Sequence, residues 1–170
     1  MRITADTRGV GLIELLIALV IISIGLLGLA SLQVNSLQKT QQTRGYEHAS
    51  AALQDLVERI GANPAAAING DFDFSNLSSA DNTLPSAADC SAVNCTQSQI
   101  ARYTLRNWAA PLSAALPSPR FSVEKSSLAS GAMMTLTLTW DASLSGQGTP
   151  SCATTTVDGA QCSRVKIWLN

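Results

Sequence analysis

Four kinds of side chain in this sequence could do chemistry: a carboxylate inside an apolar run, a set of cysteines, a lone histidine and a close acidic pair. The carboxylate is Glu14. It lies within Gly9–Leu32 (GVGLIELLIALVIISIGLLGLASL), where from Gly11 to Leu29 the only other polar side chain is Ser23. Placed in such a segment, a carboxylate costs roughly 2.5–3.5 kcal/mol on insertion scales unless something meets it. Its useful chemistry is therefore ion pairing, which makes a charge tolerable in a low-dielectric helix bundle. The plainer alternative is a Glu at the membrane interface, reaching out to water from a position near the start of the segment.

Cysteines number four, Cys90, Cys95, Cys152 and Cys162. Three pairings are open to them, and the sequence does not choose. Loop closure favours the local pairs Cys90–Cys95 and Cys152–Cys162. A zinc site is the rival reading, but there is no C-x-x-C spacing and His48 is far away in the chain. Oxidised pairs fit an oxidising compartment. Asp71 and Asp73 resemble the start of a calcium loop, yet no glycine follows at the sixth position and no closing Glu. They read as a solvated turn. With one His, no G-x-S-x-G and no phosphate-cradling glycine loop, the sequence supports no catalytic residue, cofactor or metal, and no enzyme.

The elements that must position these groups begin with the apolar run itself. As a helix, Val10–Leu32 would be roughly 34 Å long, enough for a bilayer core of about 30 Å. Met1–Gly9 (MRITADTRG) is too short to be a secretory leader, and no A-x-A cleavage site follows the apolar run. Either the segment is an uncleaved anchor, or the leader is cut before the helix, at Gly9. Arg2 and Arg8 precede it and set a cytoplasmic N-terminus; Lys39 and Arg44 lie beyond a polar helical stretch and count for less.

Downstream, Ser31–Ile60 has no strong breaker except Gly45, so the helix runs on. Ala49, Leu53, Leu56, Val57 and Ile60 mark one face of it, and the stretch Gly61–Pro64 should stop it. Gly25 and Gly28, in the apolar half, either admit neighbouring helices closely or are neutral. Asn69–Cys95 shows no period and reads as a long loop. A second helix is expected within Ile100–Leu116, on a face of Ile100, Thr104, Trp108 and Leu112, broken or ended near Pro111, with Trp108 in the core. Period-two alternation then predicts three antiparallel strands, around Phe121–Val123, Met134–Trp140 and Val165–Leu169, with a Thr-rich face outside. Gly131, Gly146–Pro150 and Asp158–Gly159 mark the turns. The fold class is α+β, a long N-terminal helix packed on a small antiparallel sheet. Net charge is −1 with 14% charged residues, so no basic footprint invites nucleic acid.

Gly9 followed by VGLIE, with Glu14 the fifth residue after it, resembles the processing motif of type IV pilins. That resemblance implies cleavage after Gly9 by a prepilin peptidase and N-methylation of Val10. Val10 stands where the family usually has Phe, and Gly11 where Thr or Ser is common. Ile21–Gln33, Asp55–Pro64 (DLVERIGANP), Trp108 with Leu116–Pro117, and a strand ending in Trp140 are similar to minor pilins of the PilV type. If subunits stack as staggered parallel helices, Glu14 of one can meet the freed amine of Val10 on its neighbour, a register device.

On this resemblance residues 1–9 are a leader, 10–32 the membrane and assembly helix, and 33–170 a periplasmic pilin-like domain. Its helix continues to about residue 60 and its sheet occupies about 120–170. The implied function is a minor pilin in a priming or tip complex of a type IV pilus, serving adhesion and twitching motility. The implied partners are other minor pilins, the major pilin, the inner-membrane assembly platform and a tip adhesin. The alternatives are a minor pseudopilin of type II secretion, a single-pass anchored periplasmic binding module that never polymerises, and, against the missing basic patch, a pilin-like part of DNA uptake.

Overall fold

The computed structural model describes residues 11–79, 83–128, 131–142, 152 and 160–169. The elements run α1 (Leu12–Gly61), α2 (Pro64–Asn69), β1 (Phe74–Ser75), α3 (Gln97–Ala109), α4 (Leu112–Ala115), β2 (Arg120–Leu128), β3 (Gly131–Asp141) and β4 (Ala160–Leu169). The chain divides into two units, with the cut inside α1 after Gln41.

In the first unit α1 carries only exposed side chains from Leu12 onward. Its Ser23 hydroxyl donates to the Leu19 carbonyl at 2.7 Å, so the helix backbone itself satisfies the hydroxyl.

The second unit holds the hydrophobic core. Ala49, Leu53, Leu56 and Ile60 of α1 are buried, and Val57 packs against them half-covered. The helix stops where the chain has Gly61 and then Pro64. Asn63 caps the next helix, its side chain accepting from Ala66 N at 3.3 Å, and Pro64 takes the first helical position, where a missing N–H is harmless. Gly70 closes α2 in the left-handed region at φ 82°, its N–H turned back to the α2 carbonyls.

The sheet is a four-stranded antiparallel meander in the order β1-β2-β3-β4. Phe121 lies opposite Leu138, Val123 opposite Leu136, Leu136 opposite Val165 and Met134 opposite Ile167. Phe121, Val123, Met134, Leu136, Leu138 and Trp140 are all at most 1% exposed, and they form the inner face. The β2–β3 connection at 129–130 and the expected turns at Gly146–Pro150 and Asp158–Gly159 lie outside the described residues.

Three details differ from the sequence reading. The stretch 69–95 carries a two-residue strand, β1, which pairs Phe74 with Val123; a strand this short leaves no readable period. The second helix begins at Gln97 and buries Ala101, Leu105, Trp108 and Ala109, whereas Ile100 is 42% exposed. Its true core stripe has the same i, i+4, i+7, i+8 spacing as α1, hidden because its first member is only an alanine. The Thr-rich face is not all outside. Thr137 and Thr139 are buried, Thr139 donating to the Arg120 carbonyl at 3.4 Å and Thr137 accepting from Arg164 Nε at 3.3 Å. Hydroxyls that find such partners are buried at little cost.

Candidate functional site

Among the groups singled out by the sequence, Glu14 occupies the most telling place. It sits in the first turn of α1, where its N–H donates to the Gly11 carbonyl at 2.9 Å. An acidic side chain suits a helix N-terminus, whose free amides carry partial positive charge. Around it Leu12, Ile13, Leu15, Leu16 and Ile17 are more than half exposed, as are the large apolar residues on through Leu37. Among the described residues the Glu14 carboxylate has no hydrogen bond or ion pair. Gly9 and Val10 lie outside the described residues.

An exposed helical surface this apolar is stable in water only when covered, by lipid or by other helices. By length and composition α1 can cross a membrane. A Cβ added at Gly25 or Gly28 would meet nothing within 4 Å. What the segment offers chemically is a surface for lipid or helix packing, with one acid near its beginning.

The cysteines form two local disulfides, Cys90–Cys95 and Cys152–Cys162, each with Cα atoms 5.5 Å apart. The first closes a loop fastened to α3. Arg106 Nη1 donates to the Pro85 carbonyl at 3.1 Å. Asp89 also accepts from the Ser91 hydroxyl at 2.6 Å and the Ser91 N–H at 3.0 Å. Chiefly the hydroxyl bond, then the backbone bond, hold its carboxyl below the ordinary value.

Asp71 and Asp73 are not drawn together as ligands: Asp73 Oδ1 accepts the Lys125 N–H at 3.0 Å, a bracing contact between the end of α2 and β2. Among the described residues no cluster of three or more His, Cys, Asp or Glu gathers. His48 is exposed and borders a shallow groove with Asp55 and Trp108. Trp108 is buried, its Nε1–H donating to the Ala52 carbonyl of α1 at 2.7 Å and its ring edge-on to Phe121.

Four structural residues escaped the sequence reading. Thr96 and Gln99 form a reciprocal capping box that starts α3, a T-x-x-Q pattern legible in principle. Asn76 and Arg120, buried polar residues, stitch residues 76–79 and Thr83 to β2. No local pattern announces them.

Comparison with known families finds two similarities. Residues 5–30 match the prokaryotic N-terminal methylation motif, and residues 31–105 match the family described as type IV pilin Tt1218. Over residues 5–105 the chain is thus similar to type IV pilins. Neither a curated protein nor a solved structure matches the chain. The pilin match ends at residue 105, inside α3, and does not reach β2–β4. The methylation motif ends within the exposed apolar part of α1, and the two together fit single-pass anchoring in an inner membrane and assembly with other pilins.

Proposed function

We propose that this chain is a minor pilin of the PilV type, a subunit of a priming or tip complex for type IV pilus assembly. The observation that carries the reading is Glu14, the single charged residue of the apolar, exposed stretch Leu12–Leu32 at the start of α1, where the methylation motif matches. In this reading a prepilin peptidase cuts after Gly9 and Val10 becomes the methylated terminus. The subunit then waits in the inner membrane, N-terminus toward the cytoplasm and residues 33–170 in the periplasm. On assembly the Glu14 carboxylate meets the Val10 amine of a neighbouring pilin. Each charge alone in the helix bundle is costly, while the pair is tolerated only at one stagger, so the pair selects register more than it adds stability. Other minor pilins, the major pilin, the assembly platform and a tip adhesin are its partners, and adhesion and twitching motility the outcome.

The test is the intact mass and N-terminal sequence of the membrane-purified protein from cells with and without the prepilin peptidase. A methylated Val10 start that depends on the peptidase supports the reading; a Met1 start in both strains leaves a plain anchor. Glu14→Gln, which keeps shape and removes charge, should still be processed and should enter pili or tip complexes at least ten-fold less. Entry at the wild-type level would sink the register role.

A further inference from the structure

The far side of the sheet is unfinished. β4 is an edge strand of 10 residues, and among the described residues no strand pairs with its outer side. On the inner face its Val165 and Ile167 are only half-buried, although their neighbours across β3, Leu136 and Met134, are completely covered. On the outer face Arg164 and Lys166 are exposed, and Trp168, beside half-buried Met133, is 68% exposed. The Cys152–Cys162 disulfide occupies the opposite end of that outer face, leaving Ser163–Leu169 as the open length.

We propose that the β4 edge receives an extended segment of another protein in which apolar and acidic residues alternate, added to the sheet as a fifth strand. Each part of the edge calls for one part of that pattern. The unpaired backbone groups of an edge strand supply main-chain hydrogen bonds to any extended chain. Because side chains alternate across a strand, the added segment's apolar residues fall beside Val165 and Ile167 and complete the core. Its acidic residues fall on the other face, beside Arg164 and Lys166. Trp168 gives an aromatic anchor of the kind enriched at interface centres.

A second copy does not fit this edge in the register of greatest overlap. β4 against β4, in a register centred on Val165, sets Arg164 of each chain opposite Lys166 of the other, and like charges directly opposed are destabilising. Those charges keep a long edge from pairing with itself while leaving it open to a chain of opposite charge. The inference stands on the sheet alone and is independent of what residues 1–32 do.

The experiment uses the full chain in detergent micelles and a fluorescein-labelled ten-residue peptide alternating Val and Glu. A Val/Lys peptide of the same pattern and a scrambled Val/Glu peptide are the comparisons. Fluorescence anisotropy should show the Val/Glu peptide binding at least ten-fold more tightly than either. Amide exchange should slow within residues 161–169. The double substitution Arg164→Glu with Lys166→Glu should reverse the preference toward Val/Lys. Trp168→Ala, at a position too exposed to disturb the fold, should weaken binding several-fold with the melting temperature unchanged. Equal affinity for all three peptides would overturn the proposal, as would protection outside β4, an unaltered preference in the double variant, or dimerisation of the chain through β4.

Discussion

The indole of Trp140 lies against the bare backbone of Gly45: a Cβ built at Gly45 would sit 2.8 Å from Trp140 Nε1. Real Cβ atoms do not approach heavy atoms so closely, so α1 reaches β3 at this point only because residue 45 has no side chain. The neighbouring Tyr46 ring meets the same indole edge-to-face, centroids 5.1 Å apart. By sequence Gly45 looks like a flaw in a long helix. In the fold it is the notch that receives the largest fully buried side chain.

Gly45→Ala should therefore destabilise the domain despite improving local helix propensity. The methyl group must push the indole aside, and overpacking of this kind costs about 1–3 kcal/mol. A helical Gly→Ala change in open space gains about 0.5–1 kcal/mol. Gly61, where an added Cβ meets nothing within 4 Å, is the matched control. Thermal unfolding of the full chain in detergent should show Gly45→Ala melting lower than wild type and Gly61→Ala no lower. An unchanged melt for Gly45→Ala would mean that the indole has room to move.

Trp108 joins α3 to α1 by a single bond that can be removed alone. Trp108→Phe keeps an aromatic ring against Phe121 but deletes the donor to the Ala52 carbonyl. The expected loss is about 1–2 kcal/mol, from the hydrogen bond together with the smaller ring. Trp108→Ala should cost about 3–5 kcal/mol through the cavity. Denaturant melts of the two variants separate bond from volume.

Asn76 ties Phe121 of β2 to Thr83. Its N–H donates to the Phe121 carbonyl at 3.0 Å and its Oδ1 accepts the Phe121 N–H at 2.7 Å. Its Nδ2 reaches the Thr83 carbonyl at 2.8 Å. Asn76→Ala strips a partner from a buried amide and should cost about 1–3 kcal/mol. Asn76→Asp keeps the acceptor but points a carboxylate oxygen at the Thr83 carbonyl. Burial and that carbonyl raise the new group's pKa in the folded state, so the variant should regain stability on acidification, when the protonated carboxyl can donate again. Melts at pH 7 and at pH 4 are the check.

The long helix and the meander were legible because their periods are sustained and their side chains carry the signal. Ala49 to Ile60 and Met134 to Trp140 are buried where the spacing puts them. What was not legible depends on contacts far apart in the chain. β1 is two residues long and exists because Val123 and Ser122 lie beside it. Thr137 and Thr139 look like surface residues until Arg164 and the Arg120 carbonyl are found against them. The apolar start of α1 is the reverse case. Glu14 stands out by composition alone, whereas the described residues supply its carboxylate no partner.

Asp89 offers a pH test of the Cys90–Cys95 loop. Its carboxyl is held below the ordinary value, first by the Ser91 hydroxyl, then by the Ser91 N–H, with Tyr103 adding to them. A group whose folded pKa is depressed stabilises the fold above its unfolded pKa, and that contribution is lost as pH falls through the lower, folded value. The loop should thus be fully fastened at neutral pH and should loosen only below the usual carboxylate range, starting near pH 4. Asp89 is at the surface, so the effect on global stability should be small and the local one larger. Asp89→Asn keeps a side-chain acceptor but has no charge to lose. Amide exchange at Ser91 and its neighbours, compared at pH 6 and pH 3 after correction for the intrinsic rate, should change in the wild type and stay flat in the variant. A wild type as flat as Asp89→Asn would show that the disulfide alone holds the loop.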